Sequence, residues 1–154
     1  MQEIKAPHFL FPLPFYRTIF LAGSIEMGAA ENWQDKVKKL MENRRVCLFN
    51  PRRDDWDSSW TQSIENEQFV EQVSWELEAM ERAETILMYF DPNTKSPISL
   101  LELGLWGNNR GNVPSKLRVV CPEGFWRKGN VDVVCARYQI PQFKTLEEAI
   151  EGLF

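Results

Sequence analysis

The chain has 154 residues, of which 44% are hydrophobic and 26% are charged, and these values are typical of one globular domain with a full-sized core. Its formal net charge is −4 and its pI is about 5.1, which argues against a nucleic acid polymer as partner, because binding to a polyanion requires a basic surface. No apolar stretch reaches the ~20 residues that a membrane helix requires, so we expect no membrane partner either.

The first two predicted strands follow an irregular N-terminal segment. Residues 1–16 are interrupted by prolines and carry several apolar side chains, which predicts an arm that packs on the body or on another subunit. The run RTIFLA (17–22) has the β-branched and aromatic composition of a buried strand. Residues 31–43 place apolar side chains at helical spacing, and RVCLFN (45–50) predicts a second strand.

A long polar segment and a long helix come next. The segment 51–63 is too long for a minimal turn, which indicates a functional loop or lid. A helix is predicted from about residue 64 to residue 82, with Glu76 at the edge of its apolar stripe. The side chains expected on that stripe are Phe69, Val73, Leu77 and Met80.

The remaining elements alternate between strands and helices. A third strand is predicted at 84–90, a third helix at 97–108, a fourth strand at 116–121, and short helices at 131–137 and 145–153. This alternation predicts a parallel α/β sheet with helices on both faces, and we expect a single domain over residues 17–154.

The ligand crevice of an open parallel sheet lies beyond the carboxyl ends of its strands. Loops 23–30, 50–63 and 91–97 all follow predicted strands, so we expect them at that edge. Gly23 and Ser24, directly after the first strand, are therefore predicted to contact a substrate.

Glu102 lies in the middle of the almost unbroken apolar run SPISLLELGLW. A buried carboxylate is costly unless something compensates it. Ser96 and Pro97 form a good helix start, because serine caps free amides and proline is tolerated at the first position. A glutamate satisfied by arginine or backbone is the alternative, but the apolar flanks and the crevice favour a working carboxylate. Together with Glu76 it provides the two carboxyls of glycosidic-bond chemistry.

The segment NPRRDDWD is both charged and aromatic. Asp54, Asp55 and Trp56 are candidate substrate ligands, although an ordinary charged loop explains the segment equally well. Trp56 and Trp60 are able to stack on a planar ring, and the alternative is that they cover an edge of the core.

Several kinds of chemistry are not expected. Cys47, Cys121 and Cys135 form no CxxC pair, which is typical of a reducing compartment and predicts a cytoplasmic protein without a zinc site. His8 is the only histidine, which disfavours Ser-His and Cys-His nucleophile systems. The chain contains neither GxGxxG nor GxxxxGK[ST]. We predict no cofactor and no metal.

Five stretches together resemble the nucleoside 2-deoxyribosyltransferases, particularly the divergent branch called nucleoside 2-deoxyribosyltransferase-like. The resemblance implies a flavodoxin-like, doubly wound sheet in three α/β/α layers. It also implies that Glu102 is the nucleophile, that Glu76 helps to bind the base, and that Asn130 enters the active site of a neighbouring subunit. The stretches are TIFLAGSI, FNPRRDDW, QVSWELEAMERAETILMYF, SPISLLELG and FWRKGNVDVV.

Two positions depart from the pattern of the family. Phe20 replaces a tyrosine whose hydroxyl orients the nucleophile in many members. Ser96 occupies a place where the transferases often have a base-binding aspartate, and it resembles a serine that holds the phosphate in the related deoxynucleoside 5′-monophosphate N-glycosidases. Helix capping alone also explains Ser96.

The resemblance implies an enzyme that moves 2-deoxyribose between nucleobases through a covalent deoxyribosyl-Glu102 intermediate. A nucleotide N-glycosidase and a catalytically silent nucleoside-binding domain remain open as alternatives. The expected partners are a small-molecule nucleoside, a nucleobase and further copies of the chain, which would form a homo-oligomer with shared active sites.

Overall fold

The computed structural model describes residues 1–25, 32–53, 57, 59–108 and 115–154. In these residues six parallel strands form one sheet in the order β1-β3-β2-β4-β5-β6. The five strands other than β1 follow the flavodoxin-like order 2-1-3-4-5, which confirms the predicted fold class. The strands are β1 (Gln2–Lys5), β2 (Arg17–Gly23), β3 (Val46–Asn50), β4 (Thr85–Tyr89), β5 (Leu117–Val120) and β6 (Gln142–Phe143).

Helices cover both faces of the sheet because alternate strand side chains are apolar on both sides. On β2, Phe20 and Ala22 pack into a core with α2, α3 and α4, whereas Ile19 and Leu21 pack into a second core with α1 and α5. None of the helices in the described ranges is long and apolar enough to cross a membrane. The helices are α1 (Trp33–Leu40), α2 (Glu67–Arg82), α3 (Pro97–Gly107), α4 (Lys128–Tyr138) and α5 (Leu146–Glu151).

The two strands that the sequence did not reveal are the short ones at the sheet edges. β6 has two residues, and β1 has four and comes from the segment predicted as an arm. β1 pairs with β3 and so extends the sheet by one strand. The rest of the segment lies on α2, where Trp75 Nε1 donates to His8 O at 2.7 Å and Arg82 Nη1 donates to Leu10 O at 3.2 Å.

The buried face of α2 differs from the predicted stripe by about one residue. Leu77 is 39% exposed, so its place on the predicted stripe is wrong. Glu76 consequently lies within the inward-facing surface of the helix and not at its edge. The residues that are buried on this face are Gln72, Trp75, Ala79 and Met80.

Candidate active site

The order of the strands reverses between β2 and β4, and their carboxyl ends meet there. Gly23 ends β2 with φ of +139°, and a Cβ at this position would collide with the backbone of Tyr89 at the end of β4. The next amide, Ser24 N, donates to Tyr89 O at 3.0 Å. Glycine is therefore required for the close approach that brings the two following loops together.

Three buried hydroxyl groups from these two loops form a cluster at the switch point. Thr94 Oγ1 lies 2.8 Å from both Ser24 Oγ and Ser96 Oγ, and the two serine hydroxyls also contact each other. Ser24 Oγ additionally accepts a hydrogen bond from Asp91 N at 2.9 Å. The structure thus brings Ser24 and Ser96 together, as two predicted substrate-binding residues, beside Gly23.

The predicted capping role of Ser96 is wrong. Ser96 does occupy the position before α3, and Pro97 is the first helical residue, but the serine side chain makes no capping hydrogen bond. Its backbone is left-handed, with φ of +48°, whereas capping serines are normally extended. Its hydroxyl belongs to the cluster with Ser24 and Thr94 and does not cap the first amides of α3.

Glu102 lies on the inward face of α3 and is only 9% exposed. Burial, and after it the negative charge of Glu76, raise the pKa of Glu102 to about 8. Because this pKa is above 7, Glu102 is mainly the neutral acid at neutral pH. The effect of the Glu76 charge on the pKa of Glu102 shows that the two predicted catalytic carboxyls lie near each other.

Glu76 differs from Glu102 in having a hydrogen-bond donor. Gln72 Nε2 donates to Glu76 Oε1 at 2.7 Å. Burial raises the pKa of Glu76, and the hydrogen bond from Gln72 acts in the opposite direction with a smaller effect.

Phe20 lies in the core cluster that also contains Trp75 and Leu103, the chain neighbours of the two acids. Its ring contacts the Trp75 ring, with 6.5 Å between centroids. It supplies no hydroxyl, and none of the hydrogen bonds formed among the described residues ends on the Glu102 carboxyl.

Asp54, Asp55 and Trp56 lie outside the described residues, so their predicted contacts stay predictions. The start of their loop is held by Arg53, whose Nη1 lies 3.3 Å from Glu71 Oε2 on α2. The Arg53 guanidinium also lies over the ring of Trp60, 5.1 Å from the centroid.

Asn130 is exposed on the first turn of α4. This helix follows β5, so Asn130 lies toward the same edge of the sheet as the crevice. Its side chain forms no hydrogen bond with the carboxyl pair or the hydroxyl cluster within the described chain.

A second groove, of about 600 Å³, opens at the ends of β5 and β6. Two acids, Glu123 and Asp132, line this groove. The Asp132 carboxylate accepts from Lys128 Nζ at 2.8 and 2.9 Å and from Gln142 Nε2 at 2.6 Å. These hydrogen bonds lower the pKa of Asp132. No three His, Cys, Asp or Glu side chains in the described ranges are grouped so as to hold a metal ion.

Two polar residues of the site were missed from the sequence. Thr94 joins the hydroxyl cluster, and Gln72 contacts Glu76. The contact of Gln72 with Glu76 could have been predicted, because residues that are four apart lie on the same face of a helix. Thr94 carried none beyond its place in a loop that follows a strand.

The fold and the site together define a flavodoxin-like α/β domain in which the buried Glu102 on α3 and the half-buried Glu76 on α2 form a carboxyl pair. A family model described as "Nucleoside 2-deoxyribosyltransferase like" matches residues 16–125, and the chain belongs to this family. Membership indicates glycosyl transfer or hydrolysis on small-molecule nucleosides. Asn130 lies beyond the matched residues. A search of the curated proteins found no match.

Proposed function

We propose that the protein transfers 2-deoxyribose between nucleobases, with Glu102 as the nucleophile, as a reaction of nucleotide salvage in the cytoplasm. The observation that carries this proposal is the pair formed by the buried Glu102 and the half-buried Glu76 in a member of this family. Cleavage of a glycosidic bond with retention of configuration commonly uses a pair of carboxyl groups.

The raised pKa of Glu102 keeps its carboxyl mainly protonated at neutral pH, so the pair has a proton to deliver. In the proposed first step a Glu102 oxygen forms a bond to C1′ while the C1′–N bond breaks. The electron pair of the broken bond stays on the base nitrogen, and the proton leaving Glu102 passes through Glu76 to that nitrogen. In the second step a nitrogen of the acceptor base forms a bond to C1′ while the C1′–O bond to Glu102 breaks, and the electron pair of that bond returns to the Glu102 carboxylate. The N–H proton of the acceptor base returns to the pair. Two inversions give net retention.

Incubation with deoxyadenosine and free cytosine tests the reaction. New deoxycytidine supports transfer, adenine released without deoxycytidine supports hydrolysis, and unchanged substrate contradicts both. A 2′-fluoro-2′-deoxyarabinosyl nucleoside tests the intermediate, because the fluorine destabilises the oxocarbenium-like transition state. We expect added mass on the peptide that contains Glu102, and label on another peptide would remove Glu102 from the nucleophile role.

A second candidate function is N-glycosidase activity on deoxynucleoside 5′-monophosphates. It is favoured by the cluster of Ser24, Thr94 and Ser96 hydroxyls at the start of α3, since Ser96 does not cap this helix. Uncapped amides at a helix start attract anions. For this function, Ser96→Ala must weaken use of the 5′-monophosphate far more than use of the free nucleoside. Equal effects on both substrates contradict a phosphate site.

We also propose that the active unit is a homo-oligomer in which Asn130 of one copy reaches the site of another. The support is an exposed aliphatic stripe on the outer side of α3, formed by Ile98, Leu101 and Leu105, with Val133 exposed on α4. Exposed apolar patches often mark interfaces. Mixing inactive Glu102→Ala and inactive Asn130→Ala chains should restore activity, because a mixed assembly can hold one complete site. Sedimentation showing an active monomer would contradict the proposal.

A further inference from the structure

Gln72 is a buried amide that faces two acceptors. It is 4% exposed, and its Nε2 donates to Pro51 O at 2.9 Å and to Glu76 Oε1 at 2.7 Å. Both hydrogens of the amide nitrogen are therefore used. The orientation of the amide is fixed, because exchanging its oxygen and nitrogen would point an acceptor at two other acceptors.

The two acceptors belong to different parts of the site. Pro51 directly follows β3 and begins the loop that carries Asp54, Asp55 and Trp56, whereas Glu76 lies one turn further along α2. Gln72 consequently connects the fixed end of this loop to one member of the carboxyl pair.

The surroundings of Glu76 make this contact important. Burial opposes ionisation of Glu76, and its neighbour Glu102 is an acid and not a cation. Arg53, a described cation of the loop, pairs with Glu71 and lies over Trp60. Within the described chain, the hydrogen bond from Gln72 is the interaction that favours the Glu76 anion.

We infer that Gln72 is a positioning residue of the site, which holds the Glu76 carboxyl in one orientation and favours its ionised form, so that Glu76 gives up its proton before Glu102 does. Its catalytic consequence rests on the proposed function, in which ionised Glu76 accepts the proton of Glu102. Its effect on Glu76 is a property of the free protein and does not require any activity.

The test is a ¹³C NMR titration of the glutamate carboxyl groups in the free protein. Glu76→Gln identifies the Glu76 resonance by its disappearance. In Gln72→Met, which keeps the length of the side chain but removes the donor, we expect the Glu76 midpoint to move to higher pH. Gln72→Glu is a second, nearly isosteric variant with the same expected direction, since it adds a third carboxyl group. An unchanged Glu76 midpoint in both folded variants overturns the inference.

Gln34 provides a matched control. It is also a fully buried glutamine, but it lies on α1 and its Oε1 accepts from Arg52 Nη1 at 3.5 Å. Gln34→Met should leave the Glu76 midpoint where it is in the parent protein. An equal shift in Gln34→Met would mean that any lost buried amide has this effect, and the specific role of Gln72 would be refuted.

Kinetics supply the catalytic readout. In Gln72→Met the acidic limb of kcat/KM should move to higher pH, with a roughly tenfold loss on that limb, as for one hydrogen bond to a charged group. In a Glu76→Gln background the same substitution should add no further shift, because its effect passes through Glu76. An additive loss in the double variant contradicts the inference. If the protein transfers no deoxyribose, the NMR titration still decides the role of Gln72, so the two proposals fail separately.

Discussion

Two acid-bearing regions lie at the same edge of the sheet and differ in what surrounds their carboxyl groups. In the groove at β5 and β6, Asp132 is held by Lys128 and Gln142, and its pKa is lowered. In the carboxyl pair of α2 and α3, Glu76 accepts from the Gln72 amide, whereas Glu102 lies near the acidic Glu76 and accepts no hydrogen bond from the described residues.

The difference shows that position at the strand ends is not enough to make a reactive carboxyl. A carboxylate that is paired with lysine stays ionised throughout the physiological range, so it neither gives nor takes a proton there. Glu102, which is buried beside a second acid, exchanges its proton at a pH of about 8, and a carboxyl that exchanges its proton near the working pH is what general acid–base catalysis needs.

The largest effect should come from Glu102→Gln. A neutral amide cannot form the proposed ester, so kcat/KM for deoxyribosyl transfer should fall by more than roughly 10³-fold. The matched change in the other region, Asp132→Asn, should retain most of the activity. Comparable losses in the two folded variants would abolish the distinction between the regions.

Glu76→Gln should cost about 10²-fold, as for the loss of a proton-transfer group. It should also lower the pKa of Glu102, because it removes the negative charge that helps to raise this pKa. The residual activity measured against pH should therefore have its alkaline limb at lower pH than the parent enzyme. An alkaline limb at the same pH as in the parent enzyme would show that the charge of Glu76 does not raise the pKa of Glu102.

Activity of the parent enzyme should decline as pH rises through about 8. Above this pH Glu102 loses its proton, and the pair has none to deliver to the departing base. The decline should approach tenfold per pH unit. Asp132→Asn should leave this alkaline decline unchanged. A pH profile that stays flat to pH 9.5 would disprove the proposal that the proton of Glu102 is delivered to the departing base.

The smallest effect is on stability, and it should have opposite signs in the two regions. The pKa of folded Glu102, about 8, exceeds the ordinary 4.5, so stability is full below about 4.5 and is lost as pH rises through 8. Glu102→Gln should then raise Tm at pH 9 by roughly 5 °C and change it little at pH 4.

Asp132 has a lowered pKa, so its contribution is present above its ordinary 3.8 and is lost as pH falls. Asp132→Asn should lower Tm at pH 7, by a smaller amount because the side chain is 42% exposed. Thermal unfolding at three pH values measures both variants. The same sign of change at pH 9 would show that the two sites do not differ electrostatically.

Alternation of apolar strands and periodic helices was sufficient to predict the sheet, because burial on both faces leaves a strong signal in each strand. β1 and β6 were missed because four and two residues carry almost no pattern. The order of the strands rests on tertiary pairing, which composition does not encode directly, and only the family resemblance supplied it.

The burial of Glu102 was predicted from its leucine neighbours, but Leu101 and Leu105 are 68% and 59% exposed. The prediction held because Glu102 and Leu103 lie on the inward face of α3. A helix that is apolar all round gives no indication of which face is buried. Ser96 was misjudged for a related reason, since the left-handed backbone that turns its hydroxyl away from the helix depends on Ser24 and Thr94.

The outermost strand of the sheet, β1, has an outer edge that bears on contacts between copies of the chain. Gln2 Nε2 donates to Phe11 O at 3.1 Å, and Gln2 Oε1 accepts from Leu13 N at 2.8 Å. The Gln2 side-chain amide thus makes the two hydrogen bonds that a peptide group of a neighbouring strand would make. These bonds hold residues 11–13 beside β1. An open strand edge next to Phe9 and Phe11, which are both exposed, is the combination that nucleates cross-β fibrils. The hydrogen bonds of Gln2 therefore place the chain's own backbone beside the outer edge of β1.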